Sequence, residues 1–231
     1  MDRAEFDLFA EHYQAAHARN VRISGETPEY FARYKIEEVR RRWTAAGLAE
    51  PRAILDFGAG VGASLPHLAQ DFPGAQITAL DVSRRSLAVA ELRFPKAADF
   101  VTYDGGDIPL ADQSVDLIFS ACVFHHIDAG EHVDIFRRLK RVLAPGGRMV
   151  IFEHNPLNPV TRHIVDTCEF DENAVLIPAG LFVARQKLAG FAQVRSAFTG
   201  FFPGPLRTLR PLERFLTAVP LGAQYLTEAH G

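Results

Sequence analysis

The chain of 231 residues has two cysteines, one tryptophan and two methionines. Cys122 and Cys168 are too few for a disulfide framework, and their spacing fits no metal motif, so no metal site is expected. Cys122 stands in an apolar run and reads as a small hydrophobe. Long hydrophobic runs are also missing: none reaches the ~18 residues that a membrane-spanning helix needs. The opening Met1-Asp2-Arg3-Ala4-Glu5 lacks the basic-then-apolar order of a secretory signal. A soluble, cytoplasmic protein in a reducing compartment is the expectation. A strong excess of one charge is absent too. Lys and Arg number 25 against 28 Asp and Glu, for a net charge of −3. No nucleic-acid partner follows from that balance. The basic clusters Arg40-Arg41-Arg42 and 195–214 read as solvated helix faces.

What is present is a 48% hydrophobic chain, enough for one core, with or without an appended lid. Residues 1–50 read as a helical cap. Phe6, Phe9 and Tyr13 form one stripe, and Ile36, Val39, Trp43 and Ala46 a second, with Gly47 as a stop. From residue 51 the pattern changes to short apolar runs alternating with amphipathic segments. Strands are expected at 53–57, 76–82, 100–103, 117–124 and 149–152. Helices between them carry Leu65, Leu68 and Phe72, then Leu87, Ala90 and Phe94, then Val133, Phe136 and Leu139. Ser83 suits an N-cap, and Pro145-Gly146-Gly147 a break before the fifth strand. Beyond residue 155 the order loosens. Stretches 155–178 and 203–222 read as insertions on the substrate side, with a helix at 183–188, a strand at 194–202 and a short edge strand at 223–226. The alternation argues for an α/β fold, doubly wound, with a mostly parallel sheet. Such sheets bind ligands beyond the carboxyl ends of their strands.

Candidate site residues therefore lie just after the strands. Gly58-Ala59-Gly60-Val61-Gly62 follows the first strand and precedes a helix, where glycine lets the backbone approach a ligand. A dinucleotide fingerprint wants a third glycine at 63, which is Ala63 here. Asp56, just before the turn, repels a pyrophosphate but suits a cationic amino-acid end. Asp81 ends the second strand and can accept from two ribose hydroxyls. Asp107 with Ile108 can read an adenine, or simply close a turn.

These motifs together resemble the class I S-adenosylmethionine-dependent methyltransferase family. Residues 54–62 resemble its glycine motif, 79–83 its acidic strand end, 106–110 its adenine loop, 116–127 its fourth strand and exit, and 139–148 the approach to its fifth. The resemblance implies a seven-stranded sheet with an antiparallel last strand, and S-adenosyl-L-methionine as cofactor, leaving as S-adenosyl-L-homocysteine. It implies that Asp56, Gly58, Ala59, Gly60 and Gly62 face the methionine end, with the backbone of Ser120 and Ala121. It also implies Asp81 and Val82 at the ribose, Asp107 and Ile108 at the adenine, and Tyr13, Tyr34 and Lys35 folded over the cofactor.

Proton acceptors are expected after strands four and five, where His125, His126, Glu153 and His154 stand. His126 is the first choice and His154 the second; Glu153 could instead hold the cofactor or a histidine. Asn155 to Pro159, with Arg162, His163 and the loop to Glu172, reads as an acceptor pocket or as a stiffened surface loop. Phe198, Phe201, Phe202 and Pro203 read as core more than as a substrate wall. The expected acceptor is a small molecule or a saccharide- or lipid-linked metabolite, with O-methylation favoured over N-methylation. The expected assembly is a monomer or homodimer. The alternatives are an NAD(P)-dependent oxidoreductase and a relative that binds the cofactor without catalysis.

Overall fold

The computed structural model describes Val21, residues 24–168 and residues 171–231. The stripe of Phe6, Phe9 and Tyr13 lies outside the described residues, as does most of the expected cap before residue 24.

The first helix, α1 (Pro28–Ala45), starts as its sequence demands. Thr27 caps it, its hydroxyl accepting from the Tyr30 N–H at 3.2 Å, and Pro28 occupies the first turn. Gly47, at φ 65°, lets the chain leave. Ile36, Val39 and Trp43 are buried on one face, with the Trp43 ring edge-on to Phe72.

Seven strands follow: β1 (Ala53–Phe57), β2 (Gln76–Asp81), β3 (Asp99–Thr102), β4 (Val115–Ala121), β5 (Leu143–His154), β6 (Val194–Thr199) and β7 (Gln224–His230). They form one sheet in the order β3-β2-β1-β4-β5-β7-β6. Pairs from β3 through β5 are parallel; β7 runs antiparallel to both β5 and β6. The helices α2 (Leu65–Asp71), α3 (Arg84–Arg93), α4 (His132–Val142), α5 (Pro159–Asp166) and α6 (Ala179–Leu188) connect them. One apolar cluster joins α1, α2 and α3 to the sheet through Ile36, Leu65, Phe72 and Leu87. The other joins α4 and α6 to it through Phe124, Phe136, Phe182 and Tyr225. The sheet is thus covered on both faces, and β1 sits where the strand order reverses direction, the place at which such sheets open a crevice.

Four local expectations change. The reversed strand is longer than 223–226 and lies inside the sheet, not at its edge. Tyr225, Leu226, Thr227 and Ala229 are fully buried, whereas Arg195 and Ser196 of β6 tolerate the edge. The run 117–124 does not stay a strand to its end. The Glu153 carboxylate accepts from the N–H groups of Val123 and Phe124, Cys122 takes φ 59°, and the chain turns into a 3-10 segment, Phe124–His126. Pro145-Gly146-Gly147 does not separate helix from strand: α4 ends at Val142, and these residues lie within β5 opposite a register shift in β4. Finally, the described residues of the two insertions carry helical turns at places the pattern did not mark. One carries α5, and the other a kinked 3-10 segment, Gly204–Phe215.

Candidate active site

A cavity of about 540 Å³ opens beyond the carboxyl ends of β1, β2, β4 and β5, roofed by α1, α5 and the 3-10 segment Gly204–Phe215. Its floor begins with the glycine turn. Gly58 has φ 75°, and a Cβ there would lie 2.4 Å from the Val123 side chain. Only glycine meets both demands. Gly60 also needs its positive φ of 52°, but faces open space. Asp81 stitches two turns: one oxygen accepts from the Gly60 N–H and the other from the Ser83 N–H, each at 2.8 Å.

Two charged side chains in the wall are notable for what they lack. Asp56 is 2% exposed, and its Oδ2 has no hydrogen-bond partner. Burial, then the nearby Asp81, pushes its carboxyl up to about 7. Lys35, on α1, is 8% exposed and makes no hydrogen bond or ion pair with a described residue. Beside Lys35, Tyr34 stacks on Tyr30, and Arg210 lies over the Tyr30 ring at 4.4 Å while bonding Glu26. Glu213 accepts from the N–H groups of Gly200, Phe201 and Phe202, fixing the loop after β6.

The wall beyond β4 and β5, near enough to Lys35 for His154 and Cys122 to feel its charge, is built of side chains. His125 Nδ1 lies 2.6 Å from Glu153 Oε2, and Asp171 Oδ1 reaches His126 Nε2 at 3.3 Å. Burial opposes charge on His125, but Glu153 and Asp171 outweigh it and raise the ring to about 10. Burial, helped by His125, pushes His154 down to about 4, so this ring is neutral near pH 7. Burial likewise lowers His126. Contact with His125 and His126 holds the Asp171 carboxyl far below the ordinary range in spite of its burial.

The structure brings together Tyr34, Lys35, Asp56, Gly58, Ala59, Gly60, Asp81, Val82, Ala121, His126 and His154 around this one cavity. It leaves four expected residues outside the lining. Gly62 packs against Ala90, Leu65 and Phe94; Ser120 lies fully buried within β4, one residue below the strand end. Ile108 belongs to the core, and Asp107 turns outward to Arg141 at 3.0 Å. The wall beyond β3 is formed by Tyr103 instead. The aromatic patch divides: Phe198 packs on Tyr225 in the core, whereas Phe201, Phe202 and Pro203 face the cavity. Asn155 donates to the Pro220 and Gly222 carbonyls and Asn158 to that of Leu221, so these asparagines clasp the chain ahead of β7. Arg162, His163 and Glu172 are exposed and stand apart from the cavity. Asp171 was not foreseen; no local pattern marks a single carboxylate within a loop as a partner for histidines far upstream. Among the described residues no helix is long and apolar enough to cross a membrane.

Residues 55–151 match a family model described as a methyltransferase domain. A malonyl-acyl-carrier-protein O-methyltransferase of Marinomonas sp. (strain MWYL1) is 30% identical over 62% of this chain and 53% of its own length. A demethylmenaquinone methyltransferase of Thermotoga maritima is 35% identical over 47% of this chain and 46% of its own. The chain thus spans about half the length of these curated relatives. A crystal structure of an S-adenosylmethionine-dependent methyltransferase from Thermotoga maritima, titled a possible histamine N-methyltransferase, superposes with a TM-score of 0.67 at 16% identity, covering 98% of both chains. That likeness is one of fold.

Proposed function

We propose that this chain, a member of the class I S-adenosylmethionine-dependent methyltransferase family, transfers the methyl group of S-adenosyl-L-methionine to a small-molecule acceptor held in the same cavity. One observation carries the reading. A buried carboxyl with an unpartnered oxygen, Asp56, and Lys35, a largely buried lysine that bonds no described residue, line one cavity. Unpaired charge is costly to bury, and a zwitterionic amino-acid end would satisfy both groups at once. Asp56 takes the ligand's ammonium and Lys35 its carboxylate. Gly58 and Gly60 bring backbone close to the same end. Asp81 receives the ribose hydroxyls, and Val82 and Tyr103 flank the adenine. A dinucleotide fits poorly, because its pyrophosphate would meet Asp56.

The bound donor supplies a sulfonium-activated methyl group. The chain's own residues must orient the acceptor, exclude water and take up its proton. The roof of Tyr34, Phe201 and Phe202 excludes water. Of the two expected bases, His126 is tied to Asp171, while the His154 ring faces the cavity without a hydrogen bond to a described residue. We therefore assign His154 as the proton acceptor and His126 as an orienting group. An acceptor hydroxyl aligned with the donor's methyl group would pass its proton to His154, while His126 would hold the acceptor in line. An imidazole in this place serves an oxygen acceptor better than an amine, which supports O-methylation. The two relatives named above are methyltransferases whose names point to an acyl-carrier-linked and a quinone-related compound, which supports a metabolite acceptor, saccharide- or lipid-linked forms included. The segments 155–178 and 203–222, with the N-terminal cap, form the acceptor's enclosure. The slightly acidic charge supports an acceptor other than nucleic acid, and the reading takes the reaction as cytoplasmic and the enzyme as a monomer or homodimer.

The test is conversion of S-adenosylmethionine to S-adenosylhomocysteine across a panel of hydroxyl, phenol, carboxylate and amine metabolites. Acceptor-dependent turnover that falls on the order of 100-fold or more in His154→Ala is expected. Binding of NADH without binding of S-adenosylhomocysteine would overturn the reading.

A further inference from the structure

The acceptor wall holds a cluster of which the methyl-transfer reading uses His126 alone. His125 and His126 stand on the 3-10 turn after β4, and Asp171 returns to them from the loop after α5. Asp171 Oδ1 lies 3.6 Å from His125 Nε2 and 3.3 Å from His126 Nε2. One ligand atom from each of the three side chains falls within 4.8 Å of the others.

The distances separate two explanations of this cluster. A charge-assisted N–H···O bond closes to about 2.7–2.9 Å. The contact between His125 Nδ1 and Glu153, at 2.6 Å, is of that kind. The two contacts to Asp171 are longer. Two ligands that each sit ~2.0–2.1 Å from a tetrahedral ion are ~3.3 Å apart, close to the 3.3 and 3.6 Å found around Asp171 Oδ1. The far side of His125 adds a second, independent feature. Glu153 holds the ring's other nitrogen while its remaining oxygen accepts from the N–H groups of Val123 and Phe124. A carboxylate behind an imidazole, itself fixed by further hydrogen bonds, is how metal-bound histidines are oriented. The loop that carries Asp171 is also pinned, since the Val175 N–H donates to the His125 carbonyl at 2.8 Å.

We propose that His125, His126 and Asp171 bind one divalent first-row metal ion, zinc by preference, with its fourth position open to the cavity. Two imidazoles and one carboxylate suit zinc, and three protein ligands with an open position are the pattern of a zinc site that meets a substrate. This departs from the expectation of no metal. Cysteine spacing could not reveal the site, because the fold, and not a sequence motif, delivers Asp171. The open position would take an oxygen of the acceptor, favouring a hydroxyl, phenol or carboxylate over an amine. That use rests on the methyl-transfer reading; the binding of the ion does not.

The experiment is equilibrium dialysis of the full chain against zinc chloride, with retained zinc measured by mass spectrometry. One zinc per wild-type chain is expected. Asp171→Asn and His126→Ala should each weaken retention by about 100-fold or more, and Glu153→Gln by about 10–100-fold. Melting curves in chelator report whether each variant is folded, and His126→Ala decides the matter if Asp171→Asn is not. Absence of stoichiometric zinc from the wild type, or wild-type retention in a folded ligand variant, overturns the proposal. S-adenosylhomocysteine binding measured in chelator tests the donor site separately, so failure of one reading leaves the other legible.

Discussion

The two ends of the cavity are built by different means. At the β1–β2 end the backbone does most of the shaping: Gly58 and Gly60 hold positive φ, and one carboxylate, Asp81, ties both turns. At the β5 end side chains make the wall, and they come from distant segments, with Glu153, His125 and Asp171 meeting only in the folded chain. A backbone-built end is rigid and intolerant of volume. A side-chain-built end can change its partner through few substitutions. The difference teaches why the glycine end shows as a local motif in the sequence and the histidine end does not.

The largest effect should come from volume at the rigid end. Gly58→Ala places a methyl into Val123 at a left-handed φ, so a loss of about 2–4 kcal/mol is expected in urea unfolding. Gly60→Ala has the φ problem alone and should lose about 1 kcal/mol. Equal losses would break the claim that close approach to Val123 defines this turn.

Charge is the next lever, and it separates the ends. Lys35→Met should weaken S-adenosylhomocysteine binding by about 10–100-fold. His154→Ala should leave that affinity within about twofold while turnover falls. A large affinity loss in His154→Ala would merge the two ends.

Asp56 brings pH into the comparison. Its folded carboxyl is raised, so its stabilising contribution is full below the unfolded value near 4 and is lost as pH climbs through about 7. Ligand-free Asp56→Asn should therefore be more stable than wild type at pH 8, by on the order of 2–4 kcal/mol, with the gap closing toward pH 4. Donor binding runs the other way. The ligand's ammonium needs the ionised carboxylate, so affinity for S-adenosylhomocysteine should rise from pH 6 to pH 8 in the wild type and stay flat in Asp56→Asn. Calorimetry across that range checks both signs.

The smallest expected effect is at the clasp. Asn155→Ala removes two hydrogen bonds to carbonyls and should cost about 1–2 kcal/mol in stability, with little change in donor affinity.

How much could be read in advance follows the same division. The turn 58–62, Ser83 as a cap and the end of β2 at Asp81 were legible because neighbours in sequence make them. The parallel strands were legible from alternation and the reversed last strand from the family resemblance, but the place of β7 was not, since burial on both faces is a tertiary fact. The break after Ala121 depends on Glu153, from another strand. Asp107 reads as an adenine contact from its loop alone, and its pairing with Arg141, from α4, could not be seen there. Asp171 was invisible for the same reason: its partners lie far upstream in the chain.

The central claim is that Asp56 and Lys35 form a receptor for an amino-acid zwitterion. Calorimetric titration of the full chain with S-adenosylhomocysteine and with 5′-methylthioadenosine, which lacks the amino-acid end, tests it most directly. The account predicts at least on the order of 100-fold tighter binding of S-adenosylhomocysteine, a gap that collapses in the Asp56→Asn, Lys35→Met double variant. Equal affinity of the wild type for the two ligands would contradict it.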